Sequence, residues 1–272
     1  METFEGYLRE KEKSEKTIKA YLKDISQFKT YIKEKEIEHI TNSTLKDYRD
    51  YLLYERFLTP TTVNRKMVAI HQYCIFNDIT VFSIKAKFQL QNFLDNIITQ
   101  EETERMIKKA YDNRDYRTVA LISTLSLTGM RISEVLSLTI KDINKSTIQI
   151  LGKGKKLRMV FIPSKLNKIW RLYCAEGRNN KVQTDALFVG QRGKMTDKGT
   201  DRLIKKYAML CNIPKDKAHH HSWRHGYILR LLEKGVSLEE CADLVGHSNI
   251  NITKGYARKT KEQLLNIIED LD

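Results

Sequence analysis

The stretch from Ser146 to Pro163, STIQILGKGKKLRMVFIP, constrains the fold more than any other part of the chain, because it holds the one clear strand signal. Two β-rich runs, Thr147 to Leu151 and Arg158 to Ile162, flank a Gly-Lys-Gly-Lys-Lys turn and predict a β-hairpin. Elsewhere the apolar residues mostly recur with the period of α-helices. We therefore predict a mainly α fold with a small β-sheet, of the α+β class.

The first part of the chain predicts a helical domain over residues 1–82. Apolar residues from Ile18 to Ile32 follow the helical period, and a second helix fits Leu45 to Tyr54. A third begins at Pro60, because proline is favoured in the first turn of a helix. The helical period is lost after this helix, and we assign residues 83–96 as a linker.

The second predicted domain covers residues 97–272. It opens with Thr99 and Glu102, which are spaced as in a capping box at the start of a helix. Near its end, Ser237 and Glu240 have the same spacing. The two pairs indicate that the second domain is also largely helical.

Charge is concentrated in the second domain. The chain has a formal net charge of +14, and residues 141–230 contain 21 lysines and arginines against 6 acidic residues. Such a segment favours a polyanionic partner, and nucleic acid is the partner we expect, bound with strong salt dependence. The chain contains no apolar run long enough to span a bilayer and no apolar signal-peptide core at its start, so we expect a cytoplasmic protein without a membrane partner.

The segment HHHSWRHGYI, from His219 to Ile228, could be a metal site, a nucleic-acid contact or catalytic machinery. His221 and His225 would share a helix face, but the zinc motif HExxH requires a glutamate where Ser222 stands. The four cysteines form no CxxC pair, so they indicate neither a zinc site nor a disulfide framework. We therefore expect no metal and no cofactor. Arg224 is better explained as an anion ligand, because a guanidinium matches two phosphate oxygens.

Two further cations are candidates for the same chemistry. Arg131, in TGMRISEVLSL, follows an apolar helix and a glycine, and Glu134 could orient it from the same helical face. A structural ion pair is the alternative explanation, and either way we expect Arg131 to be mostly buried. Lys153 lies between two glycines of the hairpin turn, where it could equally be a solvated loop lysine.

The C-terminal segment LEECADLVGHSNINITKGYARK gives these residues a common explanation. A helix capped by Ser237 should close at Gly246, His247 follows at once, and Tyr256 stands nine residues later. Together with TGMRISEVLSL, GKGKKLR and HSWRH, this segment resembles the tyrosine recombinases, the family of Xer recombinases and phage-type integrases. The motifs match that family in order and spacing, and the first 80 or so residues look like its core-binding domain.

The resemblance implies a role for each matching residue. Tyr256 would attack the scissile phosphate and become linked to the 3′ end of the DNA, with Arg131 and Arg224 stabilising the charge of the transition state. Lys153 would protonate the leaving 5′ oxygen. His221 would assist proton transfer, and His247 would hydrogen-bond a phosphate oxygen. Neither a metal ion nor ATP would be needed, because the phosphotyrosyl bond conserves the energy of the phosphodiester.

Other residues are assigned to supporting roles and to DNA contact. Glu134 and His225 would support the site, while His219 and His220 would form a basic approach to the DNA. Trp223 and the Gly-Tyr-Ile sequence after His225 depart from the usual family pattern, as does Gly255 before Tyr256. The residues assigned to DNA contact are Asn64, Arg65, Lys66, Lys155, Lys156, Arg192 and Lys194.

These assignments imply a two-domain clamp around double-stranded DNA that catalyses site-specific recombination and associates with the nucleoid when bound. A type IB topoisomerase and a DNA-binding protein with relic motifs are the alternatives. The apolar stripe of residues 260–272 predicts a terminal helix that docks either on its own domain or on a neighbouring subunit. The resemblance favours the neighbour, within a ring of four subunits on two paired DNA sites.

Overall fold

The computed structural model describes residues 3–87, 96–151, 157–246 and 268–270. The chain divides into two compact units, Met1–Leu90 and Gln91–Asp272, here called the N-terminal and C-terminal units.

The N-terminal unit is helical throughout its described elements. Its helices are α1 (Phe4–Glu10), α2 (Glu15–Glu34), α3 (Asn42–Asp50), which continues into a π-helical turn (Tyr51–Glu55), and α4 (Pro60–Phe76). The three predicted helices are confirmed, whereas the short α1 was not predicted.

Local side-chain hydrogen bonds set where these helices begin. Ser14, Thr41 and Thr59 each accept a hydrogen bond from a backbone N–H of the first turn of the helix that follows, and Pro60 lies in the first turn of α4 as predicted. The core between the helices is rich in aromatic rings, including Phe28 and Tyr48, whose ring centroids lie 4.8 Å apart.

The C-terminal unit surrounds one buried helix. Its elements are α5 (Gln100–Asp112), α6 (Tyr116–Thr128), α7 (Ile132–Val135), a 3₁₀ turn (Ile140–Asp142), β1 (Thr147–Leu151), β2 (Leu157–Phe161), α8 (Ser164–Glu176), α9 (Asp197–Leu210), α10 (His220–Glu233) and α11 (Leu238–Val245). Helix α6 is apolar and almost wholly buried, and α5, α8, α9 and α10 pack around it. This arrangement brings the first turns of α7 and α10 close to the C-terminal end of α6.

The two strands form an antiparallel hairpin in which Thr147 pairs with Phe161 and Ile150 pairs with Arg158. Side chains alternate along β2, so Arg158 and Val160 turn inward while Leu157, Met159 and Phe161 are exposed. The predicted fold class, mainly α with a small sheet, is confirmed, and the predicted second strand begins one residue earlier than expected.

Candidate active site

The C-terminal end of α11 is the point on which the site converges. Ser237 and Glu240 form the predicted capping box at its start, and Gly246 ends it in a left-handed conformation with φ of 68°. A Cβ atom on residue 246 would lie 2.4 Å from Cδ of Arg158, so both the backbone and the packing require glycine here. The last carbonyls of a helix carry partial negative charge and can accept hydrogen bonds from cations.

Three arginines from three different elements donate to consecutive carbonyls at this end. Nη1 of Arg158 donates to the carbonyl oxygen of Leu244 at 2.5 Å, and Nη2 of Arg224 donates to that of Val245. Nη2 of Arg131 donates to the carbonyl oxygen of Gly246 at 3.3 Å. The carbonyls of Val245 and Gly246 therefore hold the two predicted phosphate ligands, Arg224 and Arg131, within one small region.

Arg131 and Glu134 form the pair that the sequence predicts. Oε2 of Glu134 accepts from the backbone N–H of Arg131 at 2.8 Å, and Oε1 accepts from Nη1 of Arg131 at 3.0 Å. Arg131 is mostly buried, as expected, and 31% of its side chain is exposed. It lies at the start of the short helix α7, where the exposed part is accessible to a ligand.

Glu134 is buried and serves two arginines. Its Oε2 atom also accepts from Nη2 of Arg158 at 2.8 Å. Burial alone would raise the pKa of Glu134, but the hydrogen bonds and charge of Arg158 and the hydrogen bonds of Arg131 outweigh it, so the pKa lies below its ordinary value. Glu134 is therefore a carboxylate at neutral pH.

Arg224 is the most buried of the three arginines, with 1% of its surface exposed. Its Nη1 atom donates to the carbonyl oxygen of Gly129 at 2.8 Å. Gly129 ends α6 with φ of 59°, and a Cβ atom there would lie 2.4 Å from the ring of Tyr227. The Gly-Tyr-Ile departure after His225 thus has a packing role, because Tyr227 fills the space that Gly129 leaves open.

The histidine cluster separates into two groups. His221 and His225 share a face of α10, as predicted, with ring centroids 4.7 Å apart. His221 keeps an exposed face, but the protein that crowds its other side lowers its pKa by removing hydration, and the charges of Arg224, His219 and Arg131 lower it further. A neutral ring at pH 7 can accept a proton.

The expectation that His219 and His220 form a basic approach to DNA is wrong. His219 is the N-cap of α10, and its Nδ1 atom accepts from the backbone N–H of Ser222 at 3.1 Å, which requires an unprotonated nitrogen. Nε2 of His220 is hydrogen-bonded to Oγ1 of Thr200 at 2.9 Å. Burial lowers the pKa of both histidines, so both are structural and uncharged at neutral pH.

The first turn of α10 is also fixed by hydrogen bonds with Ile98 and Thr103, near the start of the C-terminal unit. Oγ of Ser222 accepts from the backbone N–H of Ile98 at 2.7 Å. The indole N–H of Trp223 donates to Oγ1 of Thr103 on α5 at 3.0 Å. The tryptophan that departs from the family pattern is therefore accommodated with its polar atom satisfied, and it anchors the helix that carries Arg224.

The residues assigned to DNA contact on α4 are held within the N-terminal unit. Asn64 exchanges two hydrogen bonds with the backbone of Ala86. Lys66 is buried, and its ammonium donates to Asp24 at 2.8 Å and also to Gln27, so little of this side chain is accessible for the predicted DNA contact. Arg65 also pairs with Asp24 but keeps 46% of its side chain exposed.

Two residues assigned to DNA contact, Arg192 and Lys194, lie exposed in the segment between α8 and α9. Five of the predicted site residues fall outside the described part of the chain: Lys153, Lys155, Lys156, His247 and Tyr256. Their assignments stay predictions.

Sequence reasoning missed Arg158, although the signal was available. The alternation along LRMVF assigns Arg158 to the same face as Val160, which is the buried face of the strand. An arginine on the buried face of a strand needs partners, and here it finds Glu134 and Leu244.

The described residues lack two features, a cluster of metal ligands and a membrane-spanning helix. No group of three or more His, Cys, Asp or Glu side chains among them is arranged to hold a metal ion. None of the helices described is both long and apolar enough to cross a bilayer.

Comparison with known proteins agrees with the geometry. The profile of the phage integrase family matches residues 96–263, and that of the phage integrase N-terminal SAM-like domain matches residues 1–77. The chain is 30% identical to the tyrosine recombinase XerC of Bacillus subtilis, over 97% of this chain and 92% of the relative. It is 28% identical to a tyrosine recombinase of Pseudothermotoga lettingae, over 100% of this chain and 97% of the relative.

Solved structures share the fold. The XerH site-specific recombinase bound to its difH substrate superposes with a TM-score of 0.73 at 21% identity, over 94% of this chain and 79% of that one. A lambda integrase dimer bound to a COC′ core site gives a TM-score of 0.71 at 14% identity, over 95% and 93% of the two chains. With its arginines gathered at one helix end and its sequence matched along nearly its full length, the chain belongs to the phage integrase family, the tyrosine recombinases.

Proposed function

We propose that this protein is a site-specific DNA recombinase that breaks and rejoins duplex DNA through a 3′-phosphotyrosyl intermediate. The observation that carries the proposal is the convergence of Arg131 and Arg224 on the end of α11, with His221 one turn from Arg224 on the same helix. Two guanidiniums held this way can bind the two non-bridging oxygens of one phosphodiester. The relatives named above are recombinases and integrases, and nothing in the described geometry favours the topoisomerase alternative.

In the proposed reaction, the hydroxyl oxygen of Tyr256 attacks the phosphorus atom and the bond from phosphorus to the 5′ oxygen breaks. The tyrosine proton passes to a base, for which His221 is suited because its pKa is lowered. Lys153 supplies a proton to the leaving 5′ oxygen. Arg131, Arg224 and His247 stabilise the additional negative charge of the pentacoordinate phosphorus. The reverse steps, with a second 5′ hydroxyl as the attacking group, rejoin the strand.

The rest of the chain has a binding role in this proposal. Residues 1–82 form the core-binding domain, 83–96 the linker and 97–272 the catalytic domain, which together act as a clamp on double-stranded DNA. The exposed basic residues of the segment 141–230, Arg192 and Lys194 among them, supply the electrostatic attraction. Four subunits assemble on paired sites, and residues 260–272 dock on the neighbouring subunit.

A nicked suicide substrate tests the nucleophile. The wild-type protein becomes trapped on such DNA, Tyr256→Phe is not trapped, and both bind the DNA equally well. Tyr111→Phe is the matched control, since Tyr111 is exposed on α5 and its ring packs against Tyr116, and this variant is trapped like the wild type. Covalent attachment of the Tyr256→Phe protein would refute the assignment.

Three further measurements test the finer claims. Cleavage persists in excess EDTA and without ATP if arginines and a lysine do the work of a metal.

Lys153→Ala slows cleavage, and a 5′-thio leaving group restores the rate because it needs less protonation. If that substrate rescues Lys155→Ala instead, the general acid is Lys155.

Deleting residues 260–272 leaves DNA binding by single protomers intact and impairs the pairing of two DNA sites. Normal recombination by the truncated protein would contradict docking on a neighbouring subunit.

A further inference from the structure

Arg158 is a buried arginine for which the proposed mechanism has no use. Its side chain is 8% exposed and projects from the inward face of β2, the strand that follows the hairpin turn. It contacts three parts of the site. Nη2 donates to Glu134 at 2.8 Å, Nη1 donates to the Leu244 carbonyl at 2.5 Å, and its aliphatic stem fills the space over Gly246.

The contact with Glu134 changes the charge that Arg131 presents. Arg131 and Arg158 share one carboxylate, so two guanidiniums and one carboxylate leave one net positive charge. Without Arg158, Glu134 and Arg131 would form a neutral pair. Since a phosphodiester gains negative charge in the transition state, a neutral pair would stabilise it less than a cationic cluster does.

The contact with Leu244 acts on the other arginine. Arg158, Arg224 and Arg131 donate to the carbonyls of residues 244, 245 and 246 in turn. Arg158 therefore helps to fix the helix end that receives Arg224, and it does so from the strand that leads directly out of the segment containing Lys153. Removing it would release one of the three hydrogen bonds that hold the end of α11 in place.

We propose that Arg158 is a positioning residue for strand cleavage and rejoining: it shares the charge of Glu134 so that Arg131 stays effectively cationic, and it fixes the end of α11 against which Arg224 is oriented. This inference rests on the proposed function, because it assumes that Arg131 and Arg224 bind the scissile phosphate. It adds a third arginine that acts through the other two without touching the phosphate.

The first experiment compares Arg158→Met with Arg178→Met. Arg178 is a fair control, because it is also partly buried in the C-terminal unit and donates to two carbonyls, those of Thr184 and Ala186, but it pairs with no carboxylate of the described residues. Single-turnover cleavage at saturating DNA is measured, together with DNA affinity and unfolding followed by the fluorescence of Trp170 and Trp223. Arg158→Met slows cleavage about 10- to 100-fold, the range for losing a hydrogen-bonded charge, with little change in DNA affinity.

The control variant loses stability and keeps its cleavage rate per folded molecule. Arg158→Lys recovers part of the lost rate, because an ammonium keeps the charge near Glu134 but cannot reach both acceptors. Wild-type cleavage by a folded Arg158→Met protein would overturn the proposal, as would equal losses in the two methionine variants.

A double-mutant cycle with Glu134→Gln separates charge sharing from simple support of the fold. If Arg158 acts by sharing the Glu134 charge, removing that charge makes Arg158 less important, so the double variant is faster by about tenfold than the product of the single losses predicts. Independent losses that multiply would overturn the charge-sharing step. Trapping of the wild-type protein in the same assay keeps the outcomes distinct: if it is not trapped, the proposed function fails, and if it is trapped and Arg158→Met behaves like it, this inference alone fails.

Discussion

Both units of this protein bury a carboxylate between two cations, yet only one of the two clusters resembles an active site. In the N-terminal unit Asp24 holds Arg65 and Lys66, and Gln27 accepts a further hydrogen bond from Lys66. In the C-terminal unit Glu134 holds Arg131 and Arg158, which also donate to the end of α11. The similarity shows that a buried carboxylate between two cations does not by itself indicate catalysis.

The difference lies in what surrounds each cluster. The ammonium of Lys66 is surrounded by acceptors and buried, so it has little capacity to bind a new anion. Arg131 keeps about a third of its surface exposed, and Arg224 joins it from another helix. An anion site therefore needs a further cation and an accessible guanidinium edge, and only the second cluster has both among the described residues.

The largest expected effect is a loss of cleavage rate when a cation of the C-terminal cluster is replaced, with no such loss for a cation of the N-terminal cluster. We expect Arg224→Lys to slow cleavage by about 100- to 1,000-fold, the usual loss for one preorganised donor at a developing charge. Lys66→Met should lower stability by about 1 to 3 kcal/mol and leave the cleavage rate of the folded protein unchanged. Single-turnover kinetics with a parallel urea titration measures both. Comparable losses of rate in the two variants would remove the distinction drawn between the clusters.

The next effect compares the two carboxylates. Asp24→Asn should cost about 3 kcal/mol of stability, because it leaves a buried cation without its carboxylate, while cleavage stays normal. Glu134→Gln should slow cleavage about tenfold, since the amide offers the two arginines one acceptor oxygen where the carboxylate offers two. Calorimetry measures the stability of the two variants, and trapping on the suicide substrate measures their cleavage rates. An Asp24→Asn protein that is stable and slow would reverse the comparison.

A smaller effect concerns two capping boxes, one in each unit. Thr41→Ala and Ser237→Ala should each cost about 1 kcal/mol, because each removes an N-cap hydrogen bond. Only Ser237→Ala should also slow cleavage, by a few-fold, since α11 holds the carbonyls that orient the arginines. Equal, unaltered rates in both variants would mean that the position of α11 does not depend on its first turn.

The smallest expected effect is a loss of folding stability at low pH, caused by three histidines of the C-terminal unit. The pKa values of His219, His220 and His221 are lowered in the folded protein, by burial first. Below a pH of about 6.5 these histidines bind protons more readily in the unfolded chain than in the folded protein. Their contribution to stability is therefore complete above that pH and is lost as the pH falls below it. Tryptophan fluorescence during urea unfolding at pH 7.5 and 5.5 should show this loss, and His220→Gln should reduce it. An identical pH dependence in that variant would contradict a contribution from His220.

Sequence reasoning succeeded where the determining interaction is local. The boxes at Thr99 and Ser237 join residues three apart, and the hairpin joins adjacent strands, so both are visible as short patterns. It failed where partners are distant along the chain. The hydrogen bond from Arg158 to Leu244 spans 86 residues and that from Lys66 to Asp24 spans 42, and no local pattern encodes either.

The site residues divide in the same way. Arg131 and Glu134 could be paired from their spacing, but the convergence of Arg131 and Arg224 depends on how α6 packs against α10. His219 and His220 were misread because a histidine that caps a helix and one that contacts DNA look alike in sequence. Only the backbone geometry at Ser222 separates the two roles.

The carbonyls at the end of α11 have a thermodynamic consequence. An arginine side chain loses as much as about 2 kcal/mol of rotational entropy when it is immobilised. In the proposed mechanism Arg224 and Arg131 bind the phosphate. Because the carbonyls of Val245 and Gly246 already fix these two side chains, that entropy is lost during folding and not when the phosphate arrives. DNA therefore meets donors whose directions are set in advance, and the entropy change on binding should come mainly from released counterions and from the DNA itself.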